Sequence, residues 1–169
     1  RMKTDELAEE PRDSRKKVDS VAVQKVALDD MSKYYTVIAD AVIAGLGTSV
    51  HPSDIHSLAA RAMARIADGR LQCWALMADG AARSSFIGVI TTQIFDEPVA
   101  GFRGLVIYSA YASQYISEAG WQHVYRVLYA WAKQNRCSRI VAYSDNPRVV
   151  RLCESFGANT SRREIVKEI

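Results

Sequence analysis

Apolar side chains recur at helical spacing through Met31, Tyr34, Tyr35, Ile38 and Val42, a stripe that dissolves at Gly45-Leu46-Gly47. Residues three and four apart share one helix face, so this spacing predicts an amphipathic helix capped by Asp29 or Asp30. A second stripe, Ile55, Leu58, Ala62 and Ile66, starts near Ser53 and stops at Asp68-Gly69. The period then changes. Residues 71–77, 86–95 and 102–108 are short runs rich in β-branched and aromatic side chains, parted by Asp79-Gly80 and Asp96-Glu97-Pro98. Runs of that kind joined by short turns predict three strands of an antiparallel meander.

Helical spacing returns in Trp121, Val124, Tyr125, Leu128 and Ala132 and lasts to about Asn135, followed by a strand-like run at 139–143. The next segment, 146–156, reads as a short helix. Asp145 or Asn146 suits its cap, Pro147 its first turn, and Gly157 the position just past its end. Residues 162–169 predict a final strand. At the other end, residues 1–28 are charged and poor in apolar side chains, and a clear first strand is missing there. We expect a charged arm at 1–28 and one domain over 29–169. Such an arm does not fold alone, so it points to docking on its own domain, to a homo-oligomer, or to a larger assembly.

Composition narrows the class. A chain of 169 residues with 49% hydrophobic content holds one ordinary domain with a core. There is no apolar run of membrane-spanning length, and the first residues are too charged for a secretory signal, so a soluble, cytoplasmic protein without membrane contact is expected. Cys73, Cys137 and Cys153 stand far apart, and His51 and His56, five apart, are remote from His123, which argues against a disulfide framework and against a metal site. The net charge of +3 is unevenly placed: residues 101–169 hold ten basic and five acidic residues. That excess suits a polyanion such as the phosphates of a cofactor. Asp13 and Asp19 interrupt the basic run at Arg12, Arg15, Lys16 and Lys17, which argues against nucleic acid.

The order of helix pair, three strands, helix, strand and short helix resembles the GNAT family of acyl-CoA-dependent N-acyltransferases, most closely over its second half. In the tail helix, Asn146 is followed by Leu152-Cys153-Glu154-Ser155-Phe156-Gly157-Ala158, similar to the family's Leu-Tyr-Glu-Lys-Leu-Gly-Phe. The resemblance implies an α/β (α+β) fold with a mixed central sheet, an antiparallel meander followed by a splayed parallel strand pair, and flanking helices. It also implies acetyl-CoA as acyl donor and a small-molecule or protein amine as acceptor.

In the family, the pyrophosphate of acyl-CoA rests on the N-terminus of the helix between the two splayed strands, where unpaired amides and the helix dipole attract phosphate. The loop there reads Arg or Gln, two residues, Gly, one residue, then Gly or Ala. Two registers resemble it: Gln114 to Ala119, with Ser117 at the first glycine, and Ser117 to Gln122, with Gly120 there. The resemblance therefore implies cofactor contacts from Tyr108, Ser109, Gln114, Ser117, Ala119 and Gly120, and from Asn146 beside the pantetheine arm. Cys153 stands where the family has the tyrosine that reprotonates the departing thiolate. For the base that takes the ammonium proton, Glu97 is the residue chosen, with Asp96, Glu118, His123 and Tyr108 as alternatives.

A rival reading is a GNAT-fold chain without catalysis that serves as a structural or interaction protein. The cysteine at the tyrosine position favours it, and the helix with Ala132-Lys133 four residues before Cys137, together with the irregular loop, resembles some bacteriophage-encoded domains, for which an assembly role and a virion location are expected.

Overall fold

The computed structural model describes residues 17–45, 55–79, 85–144 and 146–161. The chain opens with β1 (Lys17–Val18) and β2 (Val21–Lys25), followed by α1 (Leu28–Gly45) and α2 (Ile55–Ala67). The meander is β3 (Gln72–Ala78), β4 (Ser85–Glu97) and β5 (Phe102–Ala112). Then come β6 (Tyr115–Ile116), α3 (Glu118–Gln134), β7 (Arg139–Ala142) and α4 (Pro147–Ser155). The main sheet has the order β2-β3-β4-β5-β7, antiparallel except for the parallel pair β5–β7.

The mixed sheet is the one expected, with one element added. Val21–Lys25, inside the segment read as an arm, pairs along its whole length with β3 and supplies the first strand. It is short and sits at the sheet edge, where only Val21 is fully buried, so charged neighbours hide its alternation from a pattern reading. Asp29 and Asp30 lie within the first turn of α1 rather than ahead of it, where their charges still favour the helix dipole. Residues 162–169, the expected final strand, lie outside the described residues, as do Ser53 and Asp145.

Two apolar layers cover the sheet. Trp74, Leu76, Ile90 and Leu105 meet Val124, Leu128 and Ala132 of α3 on one face. Cys73 and Val89 meet Ile38, Val42, Met63 and Ile66 of α1 and α2 on the other. Of the stripes read from the sequence, Met31, Ile38, Val42, Ile66, Val124, Leu128 and Ala132 are buried, whereas Tyr34 and Tyr35 of α1 are exposed. Among the described residues, no helix is long and apolar enough to cross a membrane.

Candidate functional site

β5 and β7 run side by side only from Gly104 opposite Arg139 to Ile107 opposite Ala142. Beyond that pair β7 stops, while β5 continues to Ala112. The edge of β5 that faced β7 is therefore left without a strand partner among the described residues. Tyr108 and Tyr143, the next residue on each strand, are 52% and 66% exposed, so the mouth of this gap is open to solvent.

The strand β5 is itself irregular at that point. Thr91 of β4 lies opposite Ser109 and Thr92 opposite Ile107, so Tyr108 is an extra residue with no partner: a β-bulge. Inserting one residue reverses the alternation of every side chain that follows. Leu105 and Ile107 accordingly pack toward α3, whereas Tyr111 packs toward α1 and α2. Ser109 is turned inward with Tyr111, and its hydroxyl meets that of Thr91 at 2.6 Å. A sequence reading misses the bulge because neither strand alone reveals it. Only the pairing of β4 with β5 exposes the change of phase.

After β5 the chain is pinned before it enters α3. Both the amide and the hydroxyl of Ser113 donate to the Ile87 carbonyl, and the Ser117 amide donates to the carbonyl of Val18 in β1. Ser117 is the N-cap of α3, and its buried hydroxyl accepts from the Gly120 amide at 3.1 Å. Of the four amides that a helix N-terminus leaves unpaired, two are thus satisfied within the protein, and those of Glu118 and Ala119 remain at an exposed corner. The expected loop contacts divide accordingly. Ala119 is exposed and Gln114 is half-buried, but the Ser117 hydroxyl and Gly120 point into the protein. A Cβ on Gly120 would stand 2.7 Å from Ile116 Cγ2 and 3.3 Å from the Val18 carbonyl oxygen. That glycine is required where α3 packs on the parallel pair of β1 with β6.

The short helix follows the same gap. Asn146 caps α4, its Oδ1 accepting from the Arg148 amide at 2.9 Å, and Gly157 ends the helix at φ 79°. Cys153 is half-buried on α4. Burial pushes its thiol up from the ordinary range, and the neighbouring Glu154 carboxylate adds to the effect, so the group stays protonated through neutral pH. Arg148 and Arg151 are exposed on the same helix.

Glu97 does not join these residues. It ends β4 opposite Phe102, six residues back along β5 from Tyr108 and roughly 20 Å away at strand rise. There its carboxylate accepts from the Ala100 amide and closes the hairpin turn. Beside it, Arg103 Nε and Nη2 donate to the two oxygens of Asp96 at 2.7 and 3.0 Å. That hydrogen-bonded pairing holds the Asp96 carboxyl below its usual range. Both acids end β4 beside the hairpin turn, away from the gap, which corrects the choice of Glu97 as base. His123 is exposed on α3.

No family model matches the sequence, and no curated protein matches it. Solved structures do match the fold. One described as a predicted acetyltransferase with acetyl-CoA, from Clostridium acetobutylicum, superposes with a TM-score of 0.61 at 13% identity, covering 88% of this chain and 96% of that one. A ribosomal-protein-alanine N-acetyltransferase from Brucella melitensis gives 0.59 at 18% identity, covering 89% and 99%. A GNAT family acetyltransferase from Staphylococcus aureus gives 0.57 at 13% identity, covering 89% and 99%. At such identities the likeness is one of fold, and the fold is GNAT-like.

Proposed function

We propose that this chain is an acyltransferase that moves an acetyl group from acetyl-CoA to a primary amine by direct attack. The observation that carries the reading is the parting of β5 and β7 after Ile107 and Ala142, with a bulge at Tyr108 on the longer strand. The acyl donor supplies an activated thioester. The amides of Glu118 and Ala119 would hold its diphosphate, helped by the positive end of α3 and by Arg148 and Arg151. The free backbone of β5 at the bulge would hydrogen-bond the donor and stabilise negative charge developing on the thioester oxygen. Tyr108 and Tyr143 would flank the entry, and the Asn146 cap would lie beside the pantetheine arm.

Holding donor and amine together in this gap supplies proximity. As the carbon–nitrogen bond forms and the carbon–sulfur bond breaks, the Cys153 thiol would give its proton to the leaving thiolate. The proton shed by the amine nitrogen would pass to solvent, which returns one to Cys153. Its raised pKa makes it a weaker acid than a free cysteine but keeps it in the donor form. The Glu118 carboxylate, at the first turn of α3, must turn away from a bound diphosphate, which sets a cost on affinity.

A second reading, a GNAT-fold scaffold without catalysis, is favoured by the position of Glu97 at the far hairpin and by the inward-facing Ser117 hydroxyl. Calorimetric titration with acetyl-CoA separates the two. Micromolar binding that weakens when Ala119 is replaced by Asp supports the transferase. No heat at millimolar acetyl-CoA rejects it and leaves the scaffold.

A further inference from the structure

We infer that Thr91 and Ser109 are positioning residues, a buried hydroxyl pair that fixes the β5 bulge at Tyr108 and thereby aims the backbone that would receive the acetyl carbonyl. The inference rests on the transferase reading and adds a role for two residues remote from solvent. Thr91 is 0% and Ser109 4% exposed, and their oxygens are 2.6 Å apart.

Two buried hydroxyls in an apolar layer are stable there only while each answers the other. Their pairing is possible only in the bulged register. With the extra residue at 108, Ser109 lies opposite Thr91 and both point toward α1. If the register that aligns Thr92 with Ile107 continued unbroken, Tyr108 would lie opposite Thr91, and Ser109 would turn with Leu105 and Ile107 toward α3. The Thr91 hydroxyl would then be buried alone. The hydrogen bond thus selects the position of the bulge as well as stabilising the strand pair.

The end of α1 closes the same spot. Gly45 lies so near β5 that a Cβ there would be 3.1 Å from the Ser109 Cβ and 3.1 Å from the Ala110 amide nitrogen. The end of α1 therefore covers Ser109 directly, and with Thr91 fully buried no water reaches either partner. On the opposite face, Thr92 is held separately, accepting from Trp74 Nε1 at 2.9 Å and donating to Gln72 at 3.3 Å. Each residue of β4 that flanks the bulge is thus fixed by its own polar partner.

A test compares acetyl-CoA with CoA, because the acetyl carbonyl is the part of the donor that the bulge would contact. In wild-type protein, titration calorimetry is expected to show acetyl-CoA binding about fivefold tighter than CoA, the value of one net hydrogen bond. Thr91→Val, which keeps the shape and removes the hydroxyl, is expected to bring that ratio to about one while CoA affinity is held. Ser109→Ala is expected to do the same, and Thr91→Ser to restore the ratio. Ile38→Val, a core change that removes no polar group, should lower thermal stability and leave the ratio alone. A ratio retained in both Thr91→Val and Ser109→Ala, or a ratio of one in the wild type, overturns the inference while the transferase reading stands. Wild-type protein that binds neither compound overturns both.

Discussion

The ring of Phe156 stacks on that of Tyr125, with centroids 4.7 Å apart and planes 16° from parallel. The contact matters because α4 has no buried residue of its own, so this stack is a principal tether between α4 and α3. It also links the segment that holds Asn146 and Cys153 to the rigid part of the fold. Replacing Phe156 by Ala removes a stacking term of about 1 kcal/mol together with part of an apolar surface. Global stability is expected to fall by about 1–2 kcal/mol in urea unfolding. The larger effect should be local. Hydrogen exchange at residues 147–155 is expected to accelerate well beyond that of β4 and β5, and unchanged exchange there would remove the tether role.

Gly120 offers a sharper steric case. Its missing side chain leaves room for Ile116 Cγ2 and the Val18 carbonyl, and the second of these is backbone and cannot rotate away. Gly120→Ala gains helix propensity of up to about 1 kcal/mol but must move α3 or the β1–β6 pair. We expect the clash to win, with a net loss of about 1–2 kcal/mol and earlier thermal unfolding. A stabilised variant would show that the start of α3 is softer than the packing implies.

The repeating elements were legible because their periodicity is a burial pattern. Val124, Leu128 and Ala132 recur at helical spacing, and the structure buries those three. Asn146, Pro147 and Gly157 delimited α4 because capping chemistry is local, each residue acting within a turn of its own backbone. Val21–Lys25 escaped because an edge strand needs few apolar positions, and its partner, β3, lies some fifty residues away.

The gap between β5 and β7 was foreseen near Tyr108 and Tyr143, where the pairing does end. The side chains around it were less readable. Ser117 and Gly120 looked like loop residues open to a ligand, yet one caps a helix with its own amide bound to the Val18 carbonyl, and the other fits under β1 against that same carbonyl, about a hundred residues earlier. Glu97 was chosen by residue type alone. Its turn role follows from the Ala100 amide only three residues away, but its distance from the gap follows from the direction of β5.

Mutual dependence also governs the core layer under Leu105, which is fully buried and packs beneath α3. Leu105→Ala would leave a cavity one residue past the start of the β5–β7 pairing. The expected loss is about 2–5 kcal/mol, read as a lower midpoint in urea with an unchanged slope. A loss below about 1 kcal/mol would mean that α3 collapses into the space.

Among the described residues, Cys73 carries the largest shift of a titrating group. It is buried on the α1 face, and desolvation raises its thiol from the ordinary 9.0 to about 12. A folded-state pKa above the unfolded one means that the native protein holds its proton where the unfolded chain has released it. Stability from this group is complete below about pH 9 and is lost as pH rises from there toward 12. Within that window the slope is about 1.4 kcal/mol per pH unit. Other groups titrate in the same range, so the difference between variants isolates the thiol. Cys73→Ala is expected to be less stable than wild type at pH 7, by the cost of a small cavity, and to lose stability less steeply between pH 9 and pH 11. The two stability curves should therefore converge as pH rises. Parallel curves in urea titrations across that range would show that Cys73 reaches solvent before the rest of the fold opens.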